Sequence, residues 1–156
     1  MVGDDEGRLR FLGPNGSKIP PVTNLGPIAA APTLMPDGRI AVIARTGFLS
    51  ILRSNGVHDS TTDIVSASIA SVAASCTHLF VSTTEELTTW DIAHMTPVAT
   101  VTWTKGGTSA PVVGPAGHVY AVAGETMFVF PGPPPPTISL PGVPARTKCD
   151  VNGNGR

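Results

Sequence analysis

The chain has 156 residues and a net charge of −1, from Lys+Arg 10 against Asp+Glu 11, with only 13% charged residues. That length suits one ordinary domain with a sizeable core, and the near-neutral balance argues against an electrostatic nucleic-acid surface. The longest apolar runs are strand-length, so no membrane span is expected. The acidic N-terminus, MVGDDEGRLR, lacks the apolar stretch of a signal peptide. Strand-and-turn residues dominate and no window carries a sustained 3.6-residue stripe, so the reading is all-β with little or no helix.

In chain order, Leu9–Leu12 reads as a strand, Gly13–Gly16 as a turn, and Ile19–Leu25 as an outer strand. Pro20 and Pro21 suit an edge and not a sheet centre, because proline cannot donate to a ladder. Residues 28–66 form a first full unit, with strands at Pro32–Met35, Arg39–Arg45 and Phe48–Arg53, a Ser54-Asn55-Gly56 hairpin turn, and a polar fourth strand around Thr62–Val65. Residues 67–106 form a second unit: Ser71–Ser75, Thr77–Ser82, Leu87–Trp90 and Val98–Trp103. A third unit stops after Ala110–Val113, His118–Ala123 and Met127–Phe130. Its first strand reads as buried on both faces. Within a unit the first strand is expected to be the innermost and buried, and the Thr-, Ser- and Asp-rich fourth to face solvent.

The units are copies of one pattern. Ala31 to Ala44 matches Ala110 to Ala123 almost position for position, with Ala-Pro, then Pro-x-Gly, then alternating small apolar residues. Gly38 and Gly117 stand two periods of about 40 residues apart, the length of a propeller blade, and Thr77 takes the glycine's place in the copy between them. Third strands recur in phase at Leu9–Leu12, Leu49–Leu52, Leu87–Trp90 and Met127–Phe130. The expected architecture is therefore a partial β-propeller of about three four-stranded antiparallel blades over residues 1–130. Residues 131–156 are set apart as a proline-rich linker or tail. Its Pro131–Pro136 run suits a polyproline II spacer rising ~3.1 Å per residue.

The phrase Ser109, Pro111, Val112, Val113, Pro115, Gly117, Val119, Tyr120, Ala121, Ala123 resembles the repeats of quinoprotein-like (PQQ-type) β-propellers over about residues 7–130. The resemblance implies the propeller fold. It does not bring the cofactor site: where the family ends a blade with Leu-Asp-x-x-Thr-Gly-x-x-x-Trp, this chain has Trp90-Asp91-Ile92-Ala93-His94-Met95-Thr96-Pro97, with Trp103 later. A single Trp90-Asp91 is weak support for a WD-repeat array. Two full units and two incomplete ones fall short of a usual ring, so the missing blades would come from a longer parent chain, a homodimer, or a protein partner.

Candidate chemistry is sparse. Asp150, Asn152 and Asn154, in Asp150-Val151-Asn152-Gly153-Asn154-Gly155, match the opening of a calcium loop, and resemble the start of dockerin repeats. The sequence ends before the twelfth-position glutamate, which leaves a weak calcium site or a plain Asn/Gly tail. His58-Asp59 and Asp91 with His94 have the look of acid–base pairs but read as turn chemistry, because no nucleophile is placed beside them. His78 and His118 occupy equivalent slots, Glu85-Glu86 reads as a hairpin tip, and Trp90 and Trp103 as packing residues. Cys76 and Cys149 are too few for a disulfide framework; they read as two unrelated thiols, with a bridge between them as the alternative in an oxidising compartment. The function that follows is a non-enzymatic scaffold or protein-interaction module without a cofactor. The alternatives are an extracellular or cell-surface module with a calcium or glycan role, and a quinoprotein-type enzyme fragment.

Overall fold

The structure is a computed structural model that describes the chain apart from residues 14, 23, 65–70, 105, 107–108, 115–116, 132–136, 139–145 and 148–156. The described residues contain strands, turns and bends and no helix. The first sheet joins β1 (Val2–Gly3), β2 (Leu9–Leu12) and β3 (Lys18–Val22) in that order. The second joins β4 (Thr33–Leu34), β5 (Ile40–Ile43), β6 (Phe48–Leu52) and β7 (His58–Asp63). The third joins β8 (Ser71–Ala74), β9 (His78–Ser82), β10 (Glu86–Asp91) and β11 (Thr96–Thr102), and the fourth β12 (Val112–Val113), β13 (Val119–Ala123) and β14 (Thr126–Phe130). Each is an antiparallel meander, as turn-separated strands of this length dictate. A short ribbon pairs β15 (Thr137–Ile138) with β16 (Arg146–Thr147) inside the stretch read as a tail.

One turn builds most of the hairpins. In Asp4–Arg8, Gly13–Ser17, Met35–Arg39, Ala44–Phe48, Arg53–Val57 and Gly114–His118, the first residue's N–H donates to the carbonyl four on. The N–H three on donates back to the first carbonyl from a glycine at positive φ, such as Gly38 at 87°. A side chain resists that φ, which is why the repeat carries glycine there. The turn before β9 has no glycine. It is one residue tighter, Ser75 N–H to His78 carbonyl, and the Ser75 hydroxyl accepts from the N–H groups of Thr77 and His78 at 3.4 and 3.0 Å. That explains Thr77 at the glycine's place.

The sheets stack face to face, with a core between each neighbouring pair. Leu9, Leu25, Ile28, Ile40, Val42 and Leu52 fill the space between sheets one and two. Ala41, Ile43, Leu49, Ile51, Ile64, Leu79, Val81 and Trp90 fill that between two and three. Phe80, Leu87, Val119 and Ala121 fill that between three and four. Strand alternation explains the division: Ile40 and Val42 point one way from β5 and Ala41 and Ile43 the other. The first strands β4, β8 and β12 lie side by side, and the Thr33 hydroxyl donates to the Val72 carbonyl at 2.7 Å across two sheets.

Three expectations need correcting. The first strands are not the buried ones: Leu34 is 63% and Val112 60% exposed, while β5 is buried at every position. With the stack open on its inner side, the strands with neighbours on both faces are the second and third. Next, His58 and Asp59 are not loop residues but open β7, because the Arg53–Val57 turn is complete in five residues and pairing resumes at Leu52↔His58. Finally, Cys76 is disulfide-bonded, and the other cysteine of the sequence, Cys149, lies outside the described residues. The reading as two unrelated thiols therefore fails. The fourth strands do face solvent: β11 is exposed along its whole length.

Candidate interaction surface

The surface most in need of explanation is the outward face of the last sheet. In the ladder Val112 stands opposite Tyr120, Tyr120 opposite Val129, and Val122 opposite Met127. These residues share the face turned away from sheet three. Val112, Tyr120, Met127 and Val129 are 60%, 37%, 64% and 50% exposed. Their neighbours in sequence, Val119, Ala121 and Ala123, are buried on the other face. A β-strand with both faces apolar is the mark of a sheet covered on both sides. The first sheet ends the stack similarly, with Val2 and Leu12 exposed and Arg10 between them in register.

Behind that face the aromatic residues anchor sheet four. Phe128 lies 5.9 Å from Trp103 and 6.2 Å from Phe130, ring centre to ring centre. The Trp103 indole N–H donates to the Thr83 carbonyl at 3.3 Å. Trp90 is buried in the core between sheets two and three, and its indole N–H has no acceptor among the described residues. Both tryptophans thus pack blades. Beside β14 runs a groove of about 310 Å³, walled by His78, Phe80, Leu87, Val98, Val101, Phe130 and Pro131. Among the described residues sheet four has no strand beyond β14, and the groove lies between that strand and sheet three.

The residues singled out for chemistry are not brought together. The Asp91 carboxylate accepts from the Ala93 and His94 N–H groups at 2.6 and 3.1 Å, and His94 Nδ1 lies 3.3 Å away. Those backbone N–H groups, foremost that of His94, hold the carboxyl below its ordinary range against a smaller opposing effect of burial. It is a turn cap. Asp59 pairs with Arg53 at 3.2 Å and Arg39 at 3.7 Å, and His58 Nε2 meets the Thr61 hydroxyl at 2.9 Å, so both serve the edge of sheet two. His78 Nδ1 meets the Thr77 hydroxyl at 2.7 Å, and His118 is exposed. Glu85 is exposed at its hairpin, whereas Glu86 begins β10 and accepts from the Thr88 hydroxyl at 3.0 Å. Among the described residues no three His, Cys, Asp or Glu side chains group as a metal site. The calcium-loop candidates Asp150, Asn152 and Asn154 lie outside the described residues. No described helix is long and apolar enough to cross a membrane. Sequence reasoning missed the outward face of sheet four, although the alternation of Tyr120 and Val122 with Val119, Ala121 and Ala123 carried the signal.

No family profile and no curated protein matches the chain. Solved structures do. Dihydro-heme d1 dehydrogenase NirN in complex with DHE superposes with a TM-score of 0.67 at 13% identity, over 83% of this chain and 31% of that one. BBS1N in complex with ARL6DN gives 0.60 at 13%, over 81% and 45%. U3-55K gives 0.56 at 17%, over 81% and 46%. The chain thus spans less than half the length of each. At such identities the likeness is one of fold, and that fold is the β-propeller, here as a partial array of four sheets.

Proposed function

We propose that the chain is a non-enzymatic β-propeller module that acts by joining other protein through the ends of its stack. The observation that carries this is the outward face of sheet four, where Val112, Tyr120, Met127 and Val129 are exposed side by side. Contiguous exposed apolar patches of this kind mark interaction surfaces. The partner is protein: further blades of a longer chain, a second copy closing a ring, or a separate partner. Support comes from the partial coverage of each propeller neighbour and from one of them, BBS1N, being in complex with ARL6DN. The candidate acid–base residues serve as turn caps and edge ion pairs.

The test is the mass in solution, by light scattering after gel filtration, of the wild-type chain of 16.0 kDa and of a Tyr120→Asp/Met127→Asp variant. We expect the wild type to associate with rising concentration and the variant, equally folded, to remain a monomer. Equal association of the two would overturn the surface. A second reading, an extracellular or cell-surface module with a calcium or glycan role, draws support from the Cys76 disulfide, since oxidising compartments preserve such bonds. Calcium-dependent thermal stabilisation lost in Asp150→Ala would favour it. The PQQ-type reading is kept for the repeat pattern alone. An enzyme fragment of that type comes last, and bound quinone absorbance would revive it.

A further inference from the structure

We propose that the outward face of sheet four seats the outward face of sheet one of a second copy, and that two such head-to-tail contacts close a ring. The inference rests on the reading of sheet four's face as a protein-binding surface and adds the surface that covers it.

The repeat shows what kind of face each end presents. In sheet two Ala41 stands opposite Ile51 and Ile43 opposite Leu49, and these four side chains receive sheet three. In sheet three the same ladder positions hold Phe80 opposite Thr89 and Ser82 opposite Leu87, and Phe80 and Leu87 receive sheet four. In sheet four they hold Tyr120 opposite Val129 and Val122 opposite Met127, where Tyr120, Met127 and Val129 are exposed. Sheet four thus ends in a receiving face that has kept its apolar residues.

Sheet one ends in the complementary face. Val2, Arg10 and Leu12 stand one period of about 40 residues before Val42, Ser50 and Leu52. Val42 and Leu52 lie in the core that sheet two makes with sheet one, and Ser50 is buried opposite Val42. Val2, Arg10 and Leu12 are therefore on the inserting side of sheet one, and all three are exposed. Every sheet-on-sheet contact within the stack joins a receiving face to an inserting face, and a second copy continues that series at both ends. Stacked repeats stay single when their terminal faces are polar. Here one end shows Val2 and Leu12 and the other Tyr120, Met127 and Val129. A contact between unlike faces makes a ring where its rotation closes. Two stacks of four sheets fall within the roughly four to eight blades of a closed propeller.

The experiment reads mass by light scattering after gel filtration, across a concentration series of the full chain. It compares wild type, Tyr120→Asp/Met127→Asp, Val2→Asp/Leu12→Asp, and an equimolar mixture of the two variants. Wild type should run at twice 16.0 kDa and each variant alone at 16.0 kDa. The mixture should recover a dimer, because the intact sheet-four face of one variant meets the intact sheet-one face of the other. With one contact in place of two, it should associate at least about 100-fold more weakly than wild type. Circular dichroism checks that each variant is folded. Should the sheet-one pair not fold, Leu12→Asp alone replaces it, at an exposed side chain. A dimer lost in the sheet-four variant but kept in the sheet-one variant would overturn this inference and leave the reading of sheet four standing. A mixture that stays monomeric would do the same, and a mass growing past two copies would overturn the closed ring. A wild type that stays at 16.0 kDa, or that associates no better than the sheet-four variant, would overturn both.

Discussion

Sheets two and four are built from copies of one sequence and live in different surroundings. Ile40-Ala41-Val42-Ile43-Ala44 and Val119-Tyr120-Ala121-Val122-Ala123 hold the same repeat position. The first is buried throughout, the second only at Val119, Ala121 and Ala123. Sheet two has a core on each side; sheet four has one. The repeat pattern therefore encodes a strand's position within its sheet, and the neighbouring sheets decide its burial. An apolar residue on the uncovered side of sheet four retains the composition of a covered strand.

The largest expected effect tests that contrast. Leu49 is fully buried in the core between sheets two and three, so Leu49→Ala should cost about 2–5 kcal/mol by urea denaturation. Val129, half exposed on the outward face of sheet four, should cost under about 0.5 kcal/mol as Val129→Ala. Comparable losses at the two positions would mean that sheet four is covered in solution. That outcome would sharpen the interaction reading at the expense of the simple contrast.

The next effect separates turns that hold a sheet together from turns that hold two sheets together. Gly7 and Gly38 have φ of 74° and 87°, so alanine is strained at either, by about 1–2 kcal/mol. A Cβ on Gly38 meets nothing within 4 Å, whereas one on Gly7 would lie 2.8 and 2.9 Å from the backbone N and O of Gly26. Gly7→Ala should therefore lower the thermal midpoint clearly more than Gly38→Ala, since the close approach of the Gly26 backbone must loosen. A larger loss at Gly38 would show that the first sheet adds little to the cooperative unit.

The strands most legible in the sequence were those whose repeat residues double as core. Leu9–Leu12 and the turns at Gly38 and Gly56 were placed closely because glycine at positive φ and alternating apolar residues are local signals. Val2–Gly3 was not foreseen. It pairs with β2 through a turn of acidic residues, which Asp4 holds through a carboxylate that accepts from the Glu6 N–H at 3.1 Å and the Arg8 N–H at 2.9 Å. The start of β7 at His58 was missed because polar outer strands resemble loops in composition. That Cys76 is disulfide-bonded stayed open in the sequence, because two cysteines alone do not decide between a bridge and two thiols. The exposed face of sheet four follows from the absence of a neighbour among the described residues, and a repeat pattern does not count its own copies.

The smallest effect compares two aspartates that cap turns, one at the end of the stack and one in its middle. Asp4 and Asp91 both have carboxyls held below their ordinary range, first by a backbone N–H, that of Arg8 and of His94 respectively. Because each folded-state value is depressed, the stabilisation is full above the unfolded carboxylate range. It fades as pH falls through the folded value. Thermal midpoints should therefore drop on acidification below the usual carboxylate range, with a shallower slope in Asp91→Asn, whose amide oxygen still accepts but no longer titrates. Asp4 differs in also pairing with the Arg8 guanidinium at 2.9 Å and that of Arg10 at 3.5 Å. About 1 M salt should shrink its share of the slope and leave that of Asp91, which rests on backbone donors, nearly intact. If salt flattened both slopes alike, the central turn would be held by the charge of His94 and not by its backbone, and the two caps would be one device.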